Sequence, residues 1–285
     1  MTLRSRNMDI GELTRTAIRV RRCLIQTFYE GGGGHFGGCL SAIDALTALY
    51  FRTLRVDPKD PSNPDRDRFV LSKGHAGVAL ECTLAEAGFF PKEWLKTYGS
   101  LDSPIPTHPD MKVTPGVDMS TGSLGHGMAV AAGMALAAKG DGRDFRVFTL
   151  IGDGESHEGS IWEAAMAAAH YGLDNLTAIT DYNGMSMDGP VCDVMGLEPL
   201  AEKWRSFGWA TREIDGHDMA QIVAALDDVP FETGRPSMIV AHTVKAKGLP
   251  MGEGITKWHW AALGADDYQI AMGQLQQLEE ELSHD

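Results

Sequence analysis

Two hydrophobic rhythms run along the chain. Ile10, Leu13, Ala17, Ile18, Leu24 and Phe28 recur at helical spacing among arginines, which predicts an amphipathic helix over 10–29. Short apolar runs follow: FVL before SKGH, FRVFTLI at 145–151, LTAIT at 176–180, a stretch at 210–214, and PSMIVAHTV. Runs of this length and composition read as strands, several of them buried on both faces. Helical segments separate them, at 41–51, about 76–88, AVAAGMALAAK, 161–171, about 198–207 and 218–227. An acidic, Gln-rich helix closes the sequence. Strands alternating with helices predict an α/β fold, a mostly parallel sheet with helices on both faces. No internal repeat or linker interrupts the pattern, so residues 1–285 are expected to form one domain.

The breaks between segments carry the chemistry. GGGGHFGG sets six glycines around His35 and is expected to be an irregular loop that lets backbone approach a ligand closely. The Pro-rich SPIPTHPDMKVTPG is a long connection of the kind that often serves function. Asp153 lies between two glycines just past the run 145–151, and Asn183 lies just past 176–180. In open parallel sheets, ligands bind outside the carboxyl ends of the strands. If these two strands are neighbours, both side chains reach one point. A carboxylate oxygen and an amide oxygen suit Mg²⁺ or Ca²⁺, and Mg²⁺ usually draws further oxygens from phosphates. Gly152 and Gly154 would let a diphosphate come close, and the following helix offers amide N–H groups. Alone, GDG reads as a tight turn and Asn183 as a loop residue. Their pairing reverses that balance, with 28 residues between Gly154 and Asn183 and a strand-like run before each.

Composition narrows the partners. Lysine and arginine total 25 against 39 acids, a net charge of −14. That argues against nucleic acid or an anionic membrane as the main partner, since both need a basic face. Cys23, Cys39, Cys82 and Cys192 are widely spaced without a CxxC pair, as in reduced cytosolic proteins. No apolar leader and no membrane-length segment stands out, so a cytoplasmic location is expected.

GDG followed by a spaced asparagine resembles the signature of thiamine diphosphate enzymes. More of the chain resembles the N-terminal, diphosphate-binding half of transketolase: GGGGHFGG, DRDRFVLSKGHAG, PTHPD, TPGVDMSTGSLGHG, IGDGESHEG, DYNGMSMDG, EIDGHD and KWHWAALG, in order from about residue 30 to 264. The resemblance implies a metal, Mg²⁺ with Ca²⁺ or Mn²⁺ as substitutes, held by Asp153, Asn183 and the main-chain oxygen of Met185. It implies that His75, Gly154, Asn183 and His259 contact the diphosphate side of the cofactor, and that Gly122 and Leu124 lie against its aminopyrimidine side. His35, His108 and His259 become substrate-channel groups that hydrogen-bond sugar hydroxyls or shuttle protons. Glu158 and Glu163 stand five apart. On one helix that spacing gives about 140° of rotation, so they point different ways. The resemblance implies that both face a partner domain, in a carboxylate network beside the cofactor-activating glutamate.

The implied reaction is transfer of a two-carbon ketol unit from a ketose, expected to be phosphorylated, to an aldose. The pyrimidine-binding and C-terminal domains of full-length transketolases have no match here. A partner chain is therefore expected to carry them, in an α2β2 assembly active only when complete. Other thiamine diphosphate enzymes, such as 2-oxo acid dehydrogenase α subunits or deoxyxylulose-phosphate synthase, are disfavoured by SKGH, PTHPD and the loop histidines. Intact metal ligands and Glu158 disfavour a non-catalytic scaffold. Some positions depart from the pattern: His126, Ser156–His157, Tyr182 and Trp260. Trp260 beside His259 is expected to reshape the channel.

Overall fold

The computed structural model describes residues 8–282. Helix α1 (Ile10–Glu30) starts at Asp9, whose side chain accepts the Glu12 N–H at 2.8 Å, a standard N-cap. Its predicted apolar stripe is buried, apart from exposed Ile10 at the start. Helix α2 (Phe36–Ala48) is buried along its whole length. A helix enclosed on all sides has no polar face to reveal its period. It also corrects the reading of GGGGHFGG as wholly irregular: Phe36, Gly37 and Gly38 form the first turn of α2, and only the glycines before His35 are loop.

Strand β1 (Arg68–Leu71) leads to α3 (Gly77–Ala87), and α4 (His126–Gly140) precedes β2 (Val147–Gly152). Then come α5 (Gly159–His170), β3 (Leu176–Tyr182), the single turn α6 (Val191–Val194) and α7 (Leu200–Ser206). Strand β4 (Ala210–Asp215), α8 (Met219–Asp227), β5 (Ser237–His242) and α9 (Ala265–Glu281) complete the order. The described strands form one five-stranded sheet, β1-β2-β3-β5-β4, with every pair parallel.

Strands β1, β2, β3 and β5 each feed two cores, because successive side chains point to opposite faces. Phe148 and Leu150 of β2 join Phe69, Leu71, Ile179 and Ile239 in one cluster, covered by α1, α2, α3 and α8. Val147 and Ile151 join Val70, Ala178, Met238 and Val240 in the other, covered by α4, α5 and α7. This two-sided burial is why the strands read as continuous apolar runs. Alanines 131, 135 and 138 of α4 and 164, 165 and 168 of α5 keep the second layer close to the sheet. The neighbouring of β2 and β3, on which the cation argument depends, is observed: Gly152 pairs with Asp181.

Candidate functional site

A cleft of about 380 Å³ opens at the carboxyl ends of β1, β2 and β3. Its wall includes His75, Gly122, Leu124, Asp153, Gly154, Asn183, Met185 and His259, eight of the residues singled out in the sequence. His75, Asp153, Gly154 and Asn183 follow strand ends, while Gly122 and Leu124 lie in the loop that leads into α4.

Asp153 follows the last residue of β2 and is 3% exposed. One carboxylate oxygen accepts the Gly154 N–H at 2.7 Å, and the other accepts the Gly184 N–H at 2.6 Å. The side chain is thereby fixed across both loops. Burial first, and the Asp181 carboxylate second, push its pKa up to about 6. A carboxylate held in this way is short of positive charge. Asn183, just past β3, turns its Oδ1 to the Met185 N–H at 3.1 Å. The carbonyls of Met185 and Ser186 converge on the Lys245 ammonium, at 3.2 and 2.8 Å. Carbonyl oxygens beside an under-compensated carboxylate form a hard-oxygen set around a cation, and that chemistry fits Mg²⁺ or Ca²⁺.

Beneath the cleft lies a buried charge cluster that sequence reasoning missed. Lys73 is 1% exposed and pairs with Asp181, 2% exposed, while donating to the Gly38 carbonyl at 2.7 Å. Asp181 also accepts from Ser41 at 2.6 Å and from Thr243. Burial opposes its ionisation, but Lys73 and these donors hold its pKa below the usual value. Lys73 lies two residues before His75, and Asp181 two before Asn183, so the pair ties the two strand ends together. Glu155 is a second clamp, accepting from Ser72 at 2.5 Å, Gly125 N–H at 2.9 Å and Gly152 N–H at 3.0 Å. Lys245 was findable: it lies three residues past β5, by the same strand-end rule that found Asp153 and Asn183. Burial lowers its pKa to about 8.

Four histidines gather at the cleft mouth. His35 lies 5.6 Å from His259, 5.7 Å from His75 and 6.2 Å from His108, ring centre to ring centre, and His75 lies 5.4 Å from His259. The glycine loop brings this about. Gly34 and Ala261 exchange backbone hydrogen bonds at 2.9 and 3.1 Å, pinning His35 next to the segment that carries His259. Gly33 adopts φ +135°, and a Cβ there would lie 2.7 Å from the Ala261 carbonyl. Burial, then the charge of Lys245, lowers His259 to about 4. Burial, then Lys73, puts His75 well below the usual imidazole value, and burial, then His108, lowers His35. These three rings are neutral at neutral pH in the ligand-free chain, which makes them hydrogen-bonding groups first.

Glu158 and Glu163 lie outside the cleft wall and are exposed. They do not share one helix, so the expected 140° separation does not hold: Glu158 precedes α5 in extended conformation, and only Glu163 is helical. Glu158 packs over Gly125, where a Cβ would come within 2.9 Å of its own. Among the departures, Ser156 bonds the Gly152 carbonyl at 2.9 Å and His157 bonds the Met195 carbonyl at 2.8 Å, bracing the turn. Tyr182 ends β3 beside His242, and exposed His126 opens α4. Trp260 is 54% exposed and lies against Gly33 of the glycine loop.

A buried strand-end carboxylate beneath a histidine cluster on a parallel sheet is one observation; the comparison with known proteins decides the family. Residues 13–278 match the model of the transketolase, thiamine diphosphate binding domain. The chain belongs to the transketolase family. It is 45% identical over 265 residues to a 6-deoxy-6-sulfo-D-fructose transketolase subunit from Clostridium sp., covering 93% of this chain and 96% of that one. It is 42% identical over 270 residues to an apulose-4-phosphate transketolase subunit from Actinobacillus succinogenes, covering 94% and 98%. The fold matches the crystal structure of transketolase from Campylobacter jejuni with a TM-score of 0.89 and 32% identity, over 96% of this chain and 46% of that one. A transketolase domain is thus matched by whole subunits in some relatives and by a portion of a longer chain in another. No described helix is long and apolar enough to cross a membrane.

Proposed function

We propose that this transketolase chain is the diphosphate-binding subunit of a two-chain enzyme that transfers a ketol unit between sugars in the cytoplasm. Residues 1–285 serve as one diphosphate-binding domain. The partner brings the pyrimidine-binding and C-terminal domains, in an α2β2 assembly. The observation that carries this reading is the buried, doubly anchored Asp153 facing carbonyl oxygens that already gather a positive charge.

In the proposed site, Asp153, Asn183 and the Met185 carbonyl hold Mg²⁺, with Ca²⁺ or Mn²⁺ as substitutes. Thiamine diphosphate, when bound, supplies the electron sink for breaking and making a carbon–carbon bond beside a carbonyl. His75, Gly154, Asn183 and His259 take the diphosphate side, with Lys245 offsetting its charge. Gly122 and Leu124 support the aminopyrimidine side. His35, His108 and His259 orient the sugar through its hydroxyls. A bound diphosphate raises the pKa of nearby imidazoles by opposite charge, which brings His259 up towards the range where it can accept a hydroxyl proton near neutral pH. Glu158 and Glu163, both exposed, are assigned to the face that meets the partner's activating glutamate. Two of the similar subunits are named for a sulfo-sugar and a sugar phosphate, so an anionic sugar is the proposed substrate.

The test is calorimetric titration of thiamine diphosphate and Mg²⁺ into the assembled complex, comparing wild type with Asp153→Ala. Loss of Mg²⁺-dependent binding in the variant supports the site. Unchanged affinity removes Asp153 from it.

A further inference from the structure

Away from the cleft, two of the four thiols lie on neighbouring helices. Cys23 lies on α1 and Cys82 on α3, helices that pack against each other. Thr27, one turn beyond Cys23, stands between them. Its hydroxyl donates to the Cys23 carbonyl at 2.8 Å and lies 4.0 Å from the Cys82 sulfur. Cys23 and Thr27, one turn apart, share the face of α1 turned towards α3 and Cys82.

Their surroundings differ. Cys82 is 0% exposed, whereas Cys23 is part-exposed on the wall of a groove of about 280 Å³. Arg19, Arg22, Lys92 and Lys96 share that wall, with Glu86 bridged by both Arg19 and Lys92. A small polar oxidant can enter such a groove. The hydrogen bond from Cys82 lowers the Cys23 pKa; burial opposes this and the Lys92 charge adds to it. Burial holds the Cys82 thiol well above the usual value. A part-exposed thiol on a groove wall, backed by a second, buried thiol on the facing helix, is the arrangement found in oxidation-sensing cysteines. Disulfides of reduced compartments are mostly of this transient kind.

We infer that Cys23 and Cys82 form a hydroperoxide-oxidisable dithiol. The Cys23 thiolate attacks the peroxide O–O bond, which breaks and releases hydroxide, or alkoxide from an organic peroxide. Cys23 is thereby oxidised to the sulfenic acid. The Cys82 sulfur then attacks the Cys23 sulfur, the S–S bond forms, and the sulfenic oxygen leaves as water with the thiol proton. The two thiols have given two electrons to one hydroperoxide, and a dithiol reductant restores them by exchange. The bond would join α1, which leads into the His35 loop, to α3, which begins just after His75. The inference stands apart from the sugar chemistry proposed above.

The full-length chain is titrated with hydrogen peroxide, its remaining thiols are alkylated under denaturing conditions, and its peptides are mapped without reduction. Accessible thiols should fall from four to two, with a Cys23–Cys82 linked peptide that dithiothreitol abolishes. In Cys82→Ala the linked peptide should vanish and a sulfenic-acid probe should label Cys23 ahead of exposed Cys192. In Cys23→Ser, Cys82 should stay alkylatable after peroxide. Thermal melts confirm that both variants fold; if either does not, the linked peptide in wild type decides alone. Four alkylatable thiols after peroxide, or a linkage that spares Cys23 or Cys82, overturns the inference.

Discussion

Asp181→Ala should unfold the floor of the cleft more than any substitution on its rim. The variant removes the carboxylate partner of Lys73 while the ammonium remains 1% exposed. Lys73 keeps the Gly38 carbonyl at 2.7 Å, and one neutral acceptor is poor compensation for a buried charge. Breaking such a pair from one side costs about 3–5 kcal/mol. The Ser41 and Thr243 hydroxyls also lose their acceptor, each worth about 1 kcal/mol. With a urea dependence of about 3 kcal/mol per molar for a chain of this size, the unfolding midpoint should fall by roughly 1.7–2.3 M. Lys73→Met should cost less, because Asp181 keeps two hydroxyl donors. The double variant Lys73→Met with Asp181→Leu should recover much of the loss, since no charge is then stranded. The assay is urea denaturation followed by circular dichroism at pH 7. If Asp181→Ala shifts the midpoint by less than about 0.3 M, or if the double variant is worse than either single, the buried pair does not brace the strand ends as argued.

Three further outcomes follow from the same geometry. Burial opposes ionisation of Asp44, but Arg21 and His217 pull its pKa to about 2 from 3.8. A depressed acid stabilises fully above its unfolded pKa, so about 2 kcal/mol should be present above about pH 4 and lost as pH falls towards 2. Asp44→Asn should flatten that limb of the stability–pH curve. His259 in the ligand-free chain should titrate near 4 by NMR, and a midpoint above 6 would contradict its burial beside Lys245. A Cβ on Gly74 would lie 2.6 Å from the Gly122 nitrogen, so Gly74→Ala must push the two backbone segments apart. It should cost about 1–3 kcal/mol by calorimetric melting and weaken cofactor binding with it.

The sheet was legible in the sequence because strands buried on both faces leave short apolar runs that little else mimics. The strand-end rule placed Asp153 and Asn183 for the same reason. Helix α2 was not fully legible: enclosed on all sides, it shows no period, and its first turn is made of glycines that read as loop. Lys73, Glu155 and Asp181 are not legible as buried, because a charged residue in a sequence is usually a surface residue. Only the register of β1, β2 and β3 shows that these three are buried and satisfied by one another's loops. The histidine cluster could be inferred only by resemblance, since four rings from positions 35 to 259 meet through one backbone bridge between Gly34 and Ala261.

The most direct test is a ketol-transfer assay with thiamine diphosphate and Mg²⁺, run on this chain alone and mixed with a partner chain carrying the pyrimidine-binding domain, over a panel of phosphorylated, sulfonated and neutral ketoses. The account predicts transfer only in the mixture, best with an anionic ketose, and none when Asp153 is alanine. Transfer by this chain alone, or a mixture that leaves Asp153→Ala fully active, would contradict it.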